Sequence, residues 1–181
     1  MSHTAELPTV VDPYKLADQD GVVEGILPLT TLERLHPLLL DNDATAEVCL
    51  RFGRDEENRR VVSGTLSALV QVECQRCLEP MMYPVTSEFK LGLVLSDEQA
   101  AQLPRQLEPL LIEEREMDVW RVIEDELLLS LPAFPLHPEN ECVKAPVVDS
   151  SPQEPVAAKE NPFRVLRGFK ASGSDKDISD T

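Results

Sequence analysis

The stretch Val72-Glu73-Cys74-Gln75-Arg76-Cys77-Leu78-Glu79-Pro80 separates two runs in which apolar and polar residues alternate. Upstream, every second residue from Leu66 to Cys74 is apolar, and downstream most alternate positions from Tyr83 to Leu95 are apolar. A period of two is typical of strands that are buried on one face. The sequence therefore predicts a β-hairpin with the Cys-x-x-Cys pair at its tip, a knuckle that can offer two thiolates to a tetrahedral metal ion.

The predicted fold class is α+β, with an antiparallel β-meander sheet that contains the Cys-x-x-Cys hairpin. A clean alternation over residues 46–52 predicts a strand just before the hairpin. Two further strands are expected, at 22–27 on a sheet edge and at 108–112. Together these strands form a sheet of about four to six members, in the ordinary size range.

One main helix is predicted to cover this sheet. Over residues 118–131 the apolar spacing changes to three and four, which is typical of an amphipathic helix. The acidic run 124–126 is expected on the opposite, solvent-facing side of that helix. Three shorter helices are predicted from their capping residues, after Asp12, Thr30 and Ser96.

The chain is expected to comprise a single α+β domain over residues 1–142 and a tail over 143–181. The tail is rich in Pro, Ser and Glu, a composition that favours disorder. A short segment at 161–168 interrupts it, where Asn161 and Pro162 favour a helical turn. That turn would expose Phe163 and Leu166 as partner contacts or let them fold back on the domain.

The charge of the chain is strongly acidic and unevenly distributed. Its 181 residues hold 33 acidic and 17 basic side chains, for a net charge of −16. Residues 143–181 contain six of each, so the first 142 residues carry 27 acids, 11 bases and the whole excess. Such a surface repels phosphate backbones and attracts basic partners. The alternative interpretation is that the acidic excess serves solubility alone.

Nothing in the first 20 residues resembles a signal peptide, and no apolar run is long enough to cross a bilayer. We therefore expect a cytoplasmic protein without a membrane partner. Its four cysteines should then be reduced thiols. The chain lacks a Gly-rich phosphate loop and a Ser/His/Asp arrangement, so we predict neither a small-molecule substrate nor an enzyme.

Three interpretations of the cysteines remain open at this point. In the first, Cys74, Cys77, His137 and Cys142 form a structural zinc site, since thiolate and imidazole are zinc ligands. In the second, the pair is a redox centre, although such pairs usually lie at a helix N-terminus and this one leads into a strand. In the third, the thiols are small apolar fillers. Cys49 has no companion at ligand spacing and is interpreted as a bystander.

The hairpin motif Val72-Glu73-Cys74-Gln75-Arg76-Cys77 resembles that of the large ribosomal RNA subunit accumulation proteins, the YceD family. Further matching segments follow in the same order, namely 96–100, 122–127, Leu131-Pro132, His137 with Cys142, and 161–163. The resemblance implies a bacterial cytoplasmic protein needed for synthesis, processing or stability of large-subunit (23S) ribosomal RNA, with no known catalytic residue. Some relatives carry a second Cys pair where this chain has His137 and Cys142. Because histidine also binds zinc, the replacement of Cys by His137 keeps a zinc ligand at this position.

Charge and family together lead to a hypothesis about partners. An RNA-associated protein would be expected to present a basic face, whereas this body is acidic. We therefore expect a basic ribosomal or ribosome-assembly protein to dock on its acids, with ribosomal RNA reached indirectly; the acids are Glu113, Glu114, Glu116, Glu124, Asp125 and Glu126. The alternatives are a metal-assisted nuclease that uses the carboxylates of 124–126, and a zinc-stabilised interaction module unrelated to ribosomes.

Overall fold

A computed structural model describes residues 5–138, 141 and 142 of the chain. The strands are β1 (Val10–Val11), β2 (Val22–Pro28), β3 (Thr45–Arg54), β4 (Arg60–Glu73), β5 (Pro80–Val94), β6 (Glu108–Leu111) and β7 (Met117–Asp118). The helices are α1 (Pro13–Asp18), α2 (Asp97–Ala100) and α3 (Val119–Ser130). The predicted tail over 143–181, with Phe163 and Leu166, lies outside the described residues.

Five strands form one sheet in the order β2-β3-β4-β5-β6, and β1 pairs with β7. The pairs from β2 to β5 are antiparallel, as the meander predicts. The pair β5–β6 is parallel, because α2 and the segment after it carry the chain back to the same end of the sheet before β6 begins. The α+β prediction is confirmed, with this one parallel pair added.

Strands β4 and β5 form the long hairpin that the alternation predicted. Val62, Leu66 and Val70 on β4 are buried, whereas the intervening Thr65 and Ser67 are exposed. The register pairs Val72 with Met81 and Glu73 with Pro80, so only residues 74–79 remain for the turn. Both cysteines of the pair therefore lie at the hairpin tip.

Helix α3 packs its apolar side against the sheet, as predicted. Asp118 caps the helix, since its side chain accepts a hydrogen bond from the backbone N–H of Arg121 at 3.0 Å. Ile123 and Leu127 are almost wholly buried in the main core. The indole N–H of Trp120 donates to the carbonyl of Leu7 at 3.1 Å, which fastens the N-terminal segment to the helix.

The capping box predicted at Thr30 is wrong. The chain there forms two 3₁₀ turns, Leu29–Thr31 and His36–Leu38, instead of an α-helix. Leucines 29, 32 and 35 recur every third residue and all are buried. A 3₁₀ turn has three residues per turn, so side chains three positions apart lie on the same side of it. In an α-helix, with 3.6 residues per turn, the same side chains would drift around the helix and away from the core. The helices expected after Asp12 and Ser96 are present as α1 and α2.

No helix in the described part of the chain is long and apolar enough to cross a membrane.

Candidate metal-binding site

The turn between β4 and β5 is closed by hydrogen bonds of its own backbone. The N–H of Cys74 donates to the carbonyl of Glu79 at 3.0 Å, and the N–H of Leu78 donates to the carbonyl of Cys74 at 2.8 Å. Leu78 has a φ of 62°, in the left-handed region that a branched side chain rarely adopts. These constraints fix the path of the chain around the two thiols.

A second segment, residues 131–138, lies against this turn after helix α3 ends. The backbone N–H of Gln75 donates to the carbonyl of Pro135 at 2.9 Å. The guanidinium of Arg76 donates to the carbonyl of His137 at 2.8 Å. Gln75 and Arg76, the two residues between the cysteines, therefore bind the loop that carries His137 through hydrogen bonds.

Four potential metal ligands meet where these segments join. One ligand atom from each of Cys74, Cys77, His137 and Cys142 lies within 4.8 Å of all the others. The Sγ atoms of Cys74 and Cys142 are 3.9 Å apart, and Sγ of Cys77 lies 3.3 Å from Nδ1 of His137. A tetrahedral zinc ion with bonds of about 2.3 Å separates two sulfur ligands by about 3.8 Å. The donor set and its spacing thus fit a metal ion of this kind.

The thiols differ in their electrostatic surroundings. Burial raises the pKa of Cys74, but the backbone N–H groups of His137, Cys77 and Arg76 outweigh it and lower this pKa to about 5. Burial raises the pKa of Cys142 to about 11, and hydrogen bonds with Cys77 and Cys74 act in the same direction. Because only thiolates coordinate a metal, binding would release a proton from Cys142 at neutral pH.

The surroundings of the thiols bear on the other two interpretations of the pair. Residues after Cys77 lead through Pro80 into β5, so no helix dipole acts on the thiols as in a typical redox pair. Cys74 and Cys77 are indeed buried, as apolar fillers would be. Their contacts with His137 and Cys142, however, place each thiol beside another metal ligand. Cys49 lies in the middle of β3, in another part of the sheet.

The acids predicted as a docking surface have different environments. Glu113, Glu114, Glu116 and Asp125 are exposed, but Glu124 and Glu126 are only 8% and 9% exposed. The expectation that 124–126 all face solvent is therefore wrong. Successive helical residues turn by about 100°, so three in a row cannot share one side.

Each buried acid has a hydrogen-bond partner far away in sequence. Glu124 accepts hydrogen bonds from the backbone N–H and the guanidinium of Arg34, at 2.8 and 2.6 Å. Arg34 also pairs with Asp125 at 2.7 Å. The hydroxyl of Ser87 donates to Glu126 at 3.3 Å, and burial raises the pKa of this carboxyl. Neither partner follows from the local sequence pattern.

Comparison with known proteins bears on the identity of this fold. The family model described as "Large ribosomal RNA subunit accumulation protein YceD" matches residues 62–170. A curated protein of that name from Haemophilus influenzae is 36% identical over 169 residues, which covers 91% of this chain and 97% of the relative. The chain belongs to the YceD family. The part matched by the YceD model runs from β4 to beyond Cys142 and so includes all four potential ligands. No solved structure matches the chain significantly.

Proposed function

We propose that this YceD-family protein supports the accumulation of large-subunit (23S) ribosomal RNA as a non-enzymatic factor. The observation that carries the proposal is the similarity to the Haemophilus relative along nearly the whole length of both chains. That relative is named for the accumulation of the large ribosomal RNA subunit. The residues matched by the YceD family model include the hairpin, the covering helix and the loop with His137.

We propose that the four clustered residues hold a structural zinc ion. Cys74 and Cys77 would supply ligands from the hairpin, and His137 and Cys142 from the loop after α3. A set of four protein ligands leaves no position for a reactive water, which is typical of structural zinc sites. Bound zinc would link two segments that are 60 residues apart in sequence, with a binding free energy of roughly 10–16 kcal/mol.

The nuclease alternative gains no support from the acidic run of α3. Metal-assisted hydrolysis needs carboxylates that are free to hold Mg²⁺. Glu124 is engaged by Arg34, and Glu126 is bonded to Ser87 in a buried position. The non-enzymatic function is therefore the better proposal.

A complementation experiment tests the proposed function. A Haemophilus influenzae strain that lacks its own relative would express this chain, its Cys74→Ser variant or its Cys49→Ser variant at matched levels. We expect the wild-type chain and Cys49→Ser to raise the ratio of 23S to 16S RNA, and Cys74→Ser to raise it less. A ratio that no version of the chain changes would contradict the proposal.

We further propose that exposed acids dock a basic ribosomal or assembly protein. Glu113, Glu116 and Asp125 line one groove of about 440 Å³ between the β6–β7 turn and α3. Asp118 and Arg121 also line this groove, so four carboxylates face one guanidinium there, and this excess of negative charge favours Lys and Arg side chains of a partner. The adjacent Leu111 is 46% exposed and offers apolar contact beside the charges.

A pull-down from lysate at low salt separates direct protein docking from contact through RNA. We expect ribosomal precursor particles to bind after nuclease treatment, and we expect this binding to be lost when Glu113 and Glu116 are changed to Gln and Asp125 to Asn. The matched control changes Glu56 and Glu57, which are exposed in the β3–β4 turn. Binding that requires intact RNA and survives neutralisation of the groove would refute the docking surface.

A further inference from the structure

A second pocket lies at the opposite end of β4 from the cysteines. Arg60 begins β4 and Cys74 directly follows its last residue, so the strand separates them by about 14 residues, or roughly 45 Å at 3.3 Å each. The cavity of about 470 Å³ beside Arg60 is lined by residues of α1, β4, the segment after β5 and the β6–β7 turn. We call it the Tyr14 pocket; its walls include Tyr14, Lys15, Asp18, Arg60, Leu95 and Arg115.

The carboxylates at the Tyr14 pocket already have partners. Asp12 accepts hydrogen bonds from the backbone N–H groups of Tyr14 and Lys15, at 3.0 and 2.9 Å. Asp18 is held by the guanidinium of Arg60 at 3.0 and 3.2 Å and by that of Arg54 at 2.7 Å. These acids therefore have little capacity left for the remaining cations.

Two cations of the pocket lack an ion pair. In the part of the chain that the structure describes, neither Lys15 nor Arg115 lies within 4.0 Å of a carboxylate. Both side chains belong to exposed residues and line the same cavity. An anion that entered the pocket would thus meet an ammonium and a guanidinium that are free to donate hydrogen bonds.

Tyr14 also lines the pocket. Its hydroxyl oxygen is buried and has no hydrogen-bond partner among the described residues. The guanidinium of Arg60 lies 5.3 Å from the centroid of its ring, which fixes the ring in place. Because the hydroxyl oxygen of Tyr14 is closed to solvent, it is not among the donors that an anion in the pocket would meet.

Arg115 reaches the pocket from a strained turn. Glu114 and Arg115 have φ values of 50° and 63°, and the N–H of Glu116 donates to the carbonyl of Glu113 at 2.9 Å. Two left-handed residues at the centre of a tight turn are normally Asn and Gly. An arginine in this conformation is unfavourable for folding, and such outliers often mark functional positions.

We propose that the Tyr14 pocket binds one nucleotide of single-stranded RNA, with its phosphate between Lys15 and Arg115. Arg and Lys are the usual ligands of phosphate oxygens. The cavity is larger than a phosphate needs and falls in the range of small-molecule sites. Leu95, which is 57% exposed, supplies apolar surface for the ribose or base. The choice of RNA as the source of the phosphate rests on the proposed function.

Fluorescence anisotropy with the full-length chain and a labelled ten-nucleotide RNA tests this site. We expect Lys15→Gln and Arg115→Gln each to weaken binding about tenfold or more, as for loss of a hydrogen bond to a charged group. Arg121→Gln removes an exposed cation from other grooves and should leave binding unchanged. With only two phosphate-contacting cations, log affinity should fall with log salt at a slope of about −1.4.

The variant Arg115→Gly separates binding from folding. It removes the left-handed strain, so the variant should unfold at the same or a higher temperature while RNA binding is lost. Adenosine monophosphate and inorganic phosphate serve as competitors that distinguish the sources of the phosphate.

Several results would overturn the site. One is equal weakening by Arg121→Gln, and another is RNA binding that Arg115→Gly leaves intact. Inorganic phosphate that competes as strongly as adenosine monophosphate would refute the assignment to a nucleotide. A failure here is distinguishable from failure of the proposed function, because the 23S measurement uses variants of the metal ligands instead.

Discussion

The hairpin that carries the cysteines makes a sharp prediction at Gly64. Gly64 on β4 pairs directly with Phe89 on β5. A Cβ atom at Gly64 would lie 2.5 and 2.6 Å from Cε2 and Cε1 of the Phe89 ring, and closer still to Cζ. Real Cβ atoms do not approach other atoms so closely, so Gly64→Ala must displace the ring. The φ of Gly64 is not positive, so alanine meets no backbone strain there.

The change in unfolding free energy that Gly64→Ala causes follows from two opposing effects. Overpacking of this kind costs about 1–3 kcal/mol of unfolding free energy. Phe89→Ala removes a half-buried ring. We expect this variant to lose about 2 kcal/mol of unfolding free energy, which is less than the roughly 3–5 kcal/mol lost with a fully buried ring. Once the ring is gone, Gly64→Ala should instead stabilise by about 0.5–1 kcal/mol, since glycine in a strand is unfavourable. The effect of Gly64→Ala thus changes sign.

Urea unfolding of the wild type, both single variants and the double variant, followed by circular dichroism, measures this coupling. We expect an interaction energy of about 2–3 kcal/mol between the two positions. If Gly64→Ala destabilises the Phe89→Ala background as much as the wild type, the ring does not lie over Gly64. The β4–β5 register, and with it the position of the hairpin tip, would then be wrong.

Two further predictions concern zinc and pH. Zinc at a hundredfold excess over its dissociation constant should add about 2.7 kcal/mol to the unfolding free energy and raise Tm by about 8 °C. The Cys74→Ser variant should lose this shift in Tm, and the Cys49→Ser variant should keep it. A shift that Cys74→Ser retains would contradict the ligand set. Burial raises the pKa of Glu126, so this group stabilises the fold at low pH and loses that contribution as pH rises through its folded pKa. Glu126→Gln should therefore raise Tm at pH 7 but not near pH 4, and a pH-independent effect would refute the assignment.

Local patterns were sufficient to predict the hairpin and the helix over it. Alternation marks β4 and β5 because one face of each strand is buried, and the spacing of three and four marks α3 for the same reason. The candidate ligand set was predicted from donor chemistry, because Cys74, Cys77, His137 and Cys142 are residue types that share a preferred metal. The structure brings all four together.

Features that depend on distant partners could not be predicted in this way. Glu124 is buried because Arg34, 90 residues earlier, supplies its hydrogen bonds. The Tyr14 pocket joins four segments, and no short motif records that they meet. The parallel pairing of β6 likewise depends on where the connection through α2 returns the chain. Acidic residues are usually exposed, so residue type alone predicts that Glu124 lies in solvent, which is wrong.

Whether the hairpin tip coordinates zinc is the question that tests the proposed site most directly. Protein purified without chelators would be analysed for metal content and by X-ray absorption at the zinc edge. We predict one zinc ion per chain with three sulfur ligands at about 2.3 Å and one nitrogen ligand at about 2.0 Å. His137→Ala should remove the nitrogen ligand and leave the three sulfur ligands. Protein that neither contains nor takes up zinc, or a shell dominated by oxygen, would contradict the site.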